Sequence, residues 1–369
     1  MRNILVILFL LSLSARSRGD AFDTWIVQNS GTTNHLFAIA YGNSNFVAVG
    51  TNGTILSSID GTTWTARSSG TTSDLNTIVY AGGKFVAAGG LGNLLTSSNG
   101  VAWSNQVSGF TSAIHDVEFI DNFFMGVGFN GAIATSPDAL TWTARASGTT
   151  NSLHTVMYAN KRFVTAGFHG SLLTSSNAAA WATNNSGVTA TLYASTYAYG
   201  NFLVMGFQGT MIASPDGLVW TGRTSGSTNS LRSIIDLNGT LVVTGFRGTI
   251  LTSTNGIAWV ARNSGSTNAL RGIAYGKNAL FAVGHNGTIL KSGIIPVPVR
   301  MVDPHWATNG FNFSLASING LTYTAEYKNS LTVTNWTLLG SMPGDGNYVT
   351  INDPTAATAS GRVYRVRTE

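Results

Sequence analysis

An all-β chain, built as a closed ring of seven four-stranded blades and followed by a small β-sandwich, is what the sequence predicts on three observations. A tryptophan recurs at Trp25, Trp64, Trp103, Trp142, Trp181, Trp220 and Trp259, each 39 residues after the last. Every interval carries the same four short apolar segments divided by turn residues. Units of fixed period bury their apolar faces by stacking, and four-stranded units repeated radially make a β-propeller. The third observation concerns the ends. The last copy runs through Gly287-Thr288-Ile289-Leu290-Lys291-Ser292 and stops at Gly293 without a turn or a tryptophan, whereas Trp25-Ile26-Val27-Gln28 precedes any inner strand. The N-terminal segment is therefore expected to close the ring as the fourth strand of blade seven.

From the N-terminus, Arg2 and Asn3 followed by apolar Ile4 to Leu13 and small residues near Gly19 and Ala21 read as a secretory signal, residues 1–19. The apolar run is too short to span a bilayer, and no later run is longer. The expected location is extracellular, periplasmic or at the cell surface. The propeller is assigned to 20–293. In its first copy the strands are Leu36 to Tyr41, Phe46 to Gly50, Thr54 to Ser58, and Trp64 onward. Phe46, Val47, Ala48 and Val49 are apolar at both parities, so that strand is covered on both faces. Paired glycines, as in Gly50-Thr51-Asn52-Gly53 and Gly167-Phe168-His169-Gly170, are expected to supply positive φ to the second hairpin. Asp60, Asn99, Asp138, Asn177, Asp216 and Asn255 are expected to close the next turn by accepting backbone amides. Ser-Gly-x-Thr, in all seven copies, reads as the crossover between blades.

The proline-bearing stretch Ile294-Ile295-Pro296-Val297-Pro298 opens a linker over 294–303. In 304–369, Phe311 to Leu315, Tyr323 to Tyr327, Trp336 to Leu339, Tyr348 to Ile351 and Arg362 to Val366 alternate as antiparallel strands do, and a β-sandwich fits them.

Composition narrows the function. The chain is 43% hydrophobic and only 9% charged, and its formal charge of +5 falls to +2 once Arg2, Arg16 and Arg18 leave with the signal. No basic cluster of the kind that tracks phosphates remains, so nucleic acid is not an expected partner. With no cysteine there is no disulfide, thiolate metal site or thiol nucleophile. No cofactor is expected, and a monomer is.

The turn Ser58-Ile59-Asp60-Gly61-Thr62-Thr63-Trp64 resembles the Asp-box of sialidase-type (BNR) repeats, one residue shorter and with alanine for glycine at Ala139 and Ala178. Over Trp25 to Ser292 the repeat is more similar to propellers related to photosystem II assembly and stability factors. That resemblance implies a non-catalytic binding platform. The tail resembles fibronectin-type C-terminal modules through Tyr323, Trp336 and Tyr364-Arg365-Val366.

Function is expected where the copies differ on one face. The crossover and the hairpin between strands two and three share a face, while the Asx turns lie on the other. The position opening each inner strand reads Phe37, Asn76, His115, His154, Tyr193, Arg232 and Arg271. The hairpin position reads Asn52, Leu91, Asn130, His169, Gln208, Arg247 and Asn286, with His285 beside the last. The expectation is a polar rim, cationic over blades six and seven, that binds a protein or a glycan presenting acidic groups; a merely solvated rim competes with it. His115, His154 and His169 lack a metal-ligand spacing, so no metal is assigned. Asp116 and Glu118, two apart on one strand, are the pair an alternative Asp-box glycoside hydrolase would use. Burial between blades competes for them.

Overall fold

The computed structural model describes residues 9–10, 18–295, 301–316, 322–330, 332–343, 348–359 and 361–368. The expected signal segment lies outside them apart from Phe9–Leu10 and the start of the short helix Arg18–Asp23. The chain forms two compact units, Ala21–Gly293 and Ile294–Glu369, the latter with Met1–Asp20.

The first unit is a seven-bladed β-propeller. Blade one consists of Leu36–Gly42, Asn45–Gly50, Ile55–Ser58 and Thr65–Arg67, paired antiparallel in that order. Five more blades repeat it. In blade seven, Leu270–Gly276, Ala279–Gly284 and Ile289–Ser292 take Trp25–Gln28 as their fourth strand, with Trp25 opposite Ser292 and Gln28 opposite Ile289. Asp23 fastens this closure by pairing with Arg262 of blade six at 3.0 Å.

Stacking explains the double-sided apolar strands. Phe46, Val47, Ala48 and Val49 are all fully buried, and Phe46 packs against Phe281 of the neighbouring blade at 4.3 Å between ring centroids. Phe85, Phe124, Phe163 and Phe202 repeat the position. Burying each such ring contributes on the order of 1.5–3 kcal/mol.

The turns on one face follow local chemistry. The hairpin joining strands one and two has two residues of positive φ, as at Asn43 (45°) and Ser44 (57°), which matches the right-handed strand twist. In the next turn Asp60 Oδ1 accepts the Thr62 and Thr63 amides at 2.8 Å each, and Ser58 Oγ accepts the Gly61 amide. Asn99, Asp138, Asn177, Asp216 and Asn255 do the same. These amides hold the Asp60 carboxyl far below the usual range and lower that of Asp216 to about 2.

On the opposite face one expectation needs correction. The first glycine of the paired set is extended, with φ −171° at Gly50, and positive φ falls on Asn52 (56°) and Gly53 (65°). A Cβ on Gly50 would overlap the carbonyl oxygen of His35, so that glycine is needed for close backbone approach.

The second unit is a β-sandwich. One sheet holds Met301–Ala307, Gly310–Ala316 and Tyr348–Asp353; the other holds Thr337–Pro343, Thr322–Lys328, Val363–Thr368 and the two-residue strand Phe9–Leu10. Phe313, Leu315, Tyr323, Ile351 and Tyr364 form the core. Met301–Ala307 is a strand the sequence does not lead one to expect, and it begins inside the stretch read as linker. Its pattern is broken by Pro304 and a register shift between Val302 and His305. Asp353 is buried, where Arg362 Nη1 (3.0 Å) and the Tyr364 hydroxyl (2.9 Å) donate to it.

Candidate functional site

The innermost strand of each blade opens on a buried aliphatic residue, and the register shifts immediately after it. In blade three Ile114 lies opposite Gly128 and Asp116 opposite Val127, which leaves His115 unpaired in a β-bulge. The same shift isolates Phe37, Asn76, His154, Tyr193, Arg232 and Arg271. A bulge re-aims the extra side chain, and all seven side chains line one central cavity of about 220 Å³. The extended glycine opposite each bulge lets the two backbones approach closely. A Cβ on Gly128 would overlap the Ala113 carbonyl oxygen, which accepts the Phe129 amide at 2.8 Å.

Around the mouth of this channel the side chains touch in sequence. His115 and His154 lie 4.6 Å apart between ring centroids, and His154 and Tyr193 5.5 Å. The Arg232 guanidinium stacks over Tyr193 at 3.6 Å and over Phe246 at 4.8 Å, and Arg271 lies 4.7 Å from the Phe37 ring. Asn76 Nδ2 donates to the Ile114 carbonyl at 2.8 Å.

The mouth is electrostatically frustrated. Among the described residues neither Arg232 nor Arg271 is in an ion pair, and the buried Nε of Arg232 has no hydrogen-bond partner. Burial, then the charge of Arg232, lowers the Arg271 guanidinium to about 10. Burial also lowers Arg232, opposed by the Tyr193 hydroxyl. His154 falls to about 3 through burial and then the charges of His115, Arg232 and Arg271, and His115 is lowered by burial and Arg271. The imidazoles are thus neutral at neutral pH. Two guanidinium groups share a desolvated space without an ion-pair partner in contact, an arrangement suited to binding an anion.

Arg232 and Arg271 are therefore half-buried inside the mouth, deeper than the polar rim on which the sequence placed them. Arg247, Gln208 and His169 are exposed at hairpin tips, with His169 stacked on Phe168 at 3.9 Å and away from His115 and His154. Among the described residues no group of three His, Asp or Glu side chains could hold a metal ion. His285 is half-buried and stacks on His35 at 4.4 Å, while His35 Nδ1 accepts the Asn286 amide at 3.0 Å. His35 and Phe246 belong to the site although sequence reasoning missed them. His35 meets its partner only through ring closure, and Phe246 reads as a hairpin residue.

Below the mouth lie the two carboxyls. Asp116 Oδ2 accepts the Val156 amide of blade four at 3.1 Å, and Oδ1 accepts the Thr77 hydroxyl of blade two at 3.3 Å. Glu118 lines the same cavity, and among the described residues no hydrogen bond is made to it. Solvent reaches both from the channel, yet protein surrounds them. Burial raises both, and the Asp116 charge raises Glu118 further. Thr155 and Ser195 share a hydrogen bond of 2.8 Å at the same depth.

A larger cleft, about 890 Å³, lies elsewhere, against Asn34, Asn52, Trp64 and Arg67 of blade one. Its counterpart in blade six is lined by Asn229, Arg247 and Arg262, 195 residues or five repeats further on. A feature that recurs with the repeat belongs to the architecture, so the channel mouth is the better candidate.

No family model matches the chain, and no curated protein matches its sequence. Solved structures match its fold. YCF48 from Cyanidioschyzon merolae is 18% identical, with 73% of this chain and 98% of that chain covered and a TM-score of 0.60. YCF48 bound to D1 peptide is 16% identical, covering 73% and 97%, with a TM-score of 0.61. The WD40 β-propeller domain of Doa1 is 14% identical, covering 72% and 96%, at 0.58. At these identities the likeness is one of fold.

Proposed function

We propose that the propeller is a non-catalytic platform, working outside the cytoplasm, that docks a protein on its crossover face and receives an acidic group of that protein at the channel mouth. One observation carries the reading: Arg232 and Arg271 are desolvated together, and among the described residues neither is in ion-pair contact with a carboxylate. Exposed Arg247 extends the positive field outward from blade six. A YCF48 propeller of the same fold holds a D1 peptide, which supports protein docking as the use of such a ring. The hydrolase alternative is weaker because Asp116 is committed to the seam between blades two, three and four.

Fluorescence anisotropy with labelled glutamate-rich and lysine-rich peptides tests it. The acidic peptide should bind, and more weakly as salt rises, because exposed charges are screened beyond about 10 Å at 0.1 M. Equal affinity for both peptides, or none for the acidic one, rejects the reading.

A further inference from the structure

Two chemistries meet within one small space. At the mouth are two guanidinium forks, which match a carboxylate bidentately. Immediately deeper, the same cavity is lined by the hydroxyl and carboxyl groups of Thr77, Ser233, Asp116 and Glu118 set among aliphatic residues such as Ile39, Ile78 and Ile234. A bare divalent oxyanion would satisfy the first group and bring its charge toward the second. A molecule with one carboxylate and several hydroxyls satisfies both. The cavity, about 220 Å³, is below the roughly 300 Å³ at which pockets for drug-sized ligands begin, so it suits a single monosaccharide-sized molecule.

We propose that the channel binds one free hydroxylated carboxylate of hexuronate size, its carboxylate between Arg232 and Arg271 and its hydroxyls against Ser233 and Glu118. The occupant is a small molecule inside the channel, and because it takes the same arginine pair as the acidic group of a docked protein, the two bind in competition. The buried, unpartnered Nε of Arg232 is the donor that the carboxylate completes. Glu118 has a place in the same arrangement: where it stands, the other blades carry Ala40, Val79, Met157, Thr196, Ile235 and Ala274, so packing alone asks for no carboxyl.

Titration calorimetry on the full chain at low salt, with D-galacturonate, D-galactose and inorganic phosphate, provides the test. Galacturonate should bind saturably, one per chain, and galactose should not. Arg232→Asn and Arg271→Asn introduce the residue that blade two carries there, Asn76, so the fold tolerates them. Each should weaken galacturonate by at least about tenfold, the loss of one charge-assisted hydrogen bond. Glu118→Met introduces the residue of blade four, Met157, and should weaken galacturonate without weakening phosphate. The proposal is overturned if galacturonate gives no saturable heat, if the arginine variants bind it as wild type does, or if phosphate binds as tightly and Glu118→Met strengthens both.

Discussion

Trp25 lies opposite Ser292, so the first strand of the propeller is the outer strand of its last blade. The Trp25 indole donates to the Phe22 carbonyl at 2.6 Å, and Asp23 bonds both Arg262 and the Asn263 amide. The chain end thus ties blade seven to blade six. Deleting residues 21–28 should expose a sheet edge at Ile289–Ser292, lower the melting temperature and promote aggregation. An unchanged melting temperature with no aggregation would show that closure adds nothing.

The Asx turns make a second prediction. Gly61 has φ 72°, and a Cβ there would overlap the Phe281 ring, so Gly61→Ala combines left-handed strain with overpacking. Together these should cost at least about 2 kcal/mol. Ala139 already holds φ 63° in the equivalent turn of blade three, and Ala139→Gly should change stability by less than about 1 kcal/mol, since relieved strain offsets a lost methyl. Denaturant melts of both variants check the contrast.

How far the sequence reaches is visible in these same elements. The 39-residue period, the strand segments and the unmatched ends specify seven blades and their closure, because stacking demands repetition. The bulge is different. It arises from a glycine at one strand end and a carbonyl on another, and no single segment shows it. Without the bulge Arg232 and Arg271 read as exposed; with it they are inside the mouth. His35 is hidden for a related reason, since its stacking on His285 exists only after the ring shuts.

Acidity should act on the propeller from two sides. The lowered carboxyl of Asp216 contributes stability that is present above its ordinary value near 4 and lost as pH falls through about 2. His154, lowered to about 3, contributes in the same direction, with stability complete above about 6.5 and declining below.

Glu118 acts with the opposite sign. Its raised carboxyl favours the protonated form in the fold, so its contribution is full below the ordinary carboxylate range and is lost as pH rises through the raised value. Thermal melts from about pH 5 to about pH 9 should show wild type losing more stability than Glu118→Met. Parallel curves would mean that Glu118 is ionised in the fold throughout.

The bulge glycines connect fold to site. Gly128→Ala should displace the Ala113 carbonyl and with it the placement of His115, destabilising by about 1–3 kcal/mol. Near-native stability would mean that the close approach at Gly128 is not needed to hold the bulge.

The central claim is that binding occurs at the channel mouth on the crossover face, and hydrogen–deuterium exchange with a bound glutamate-rich peptide tests it most directly. Binding there should add protection in the hairpins at Phe207–Gly209, Phe246–Gly248 and His285–Gly287 and none at the Asx turns of Asp60, Asp138 and Asp216. Protection confined to the Asx turns, or spread evenly around the ring, would contradict it.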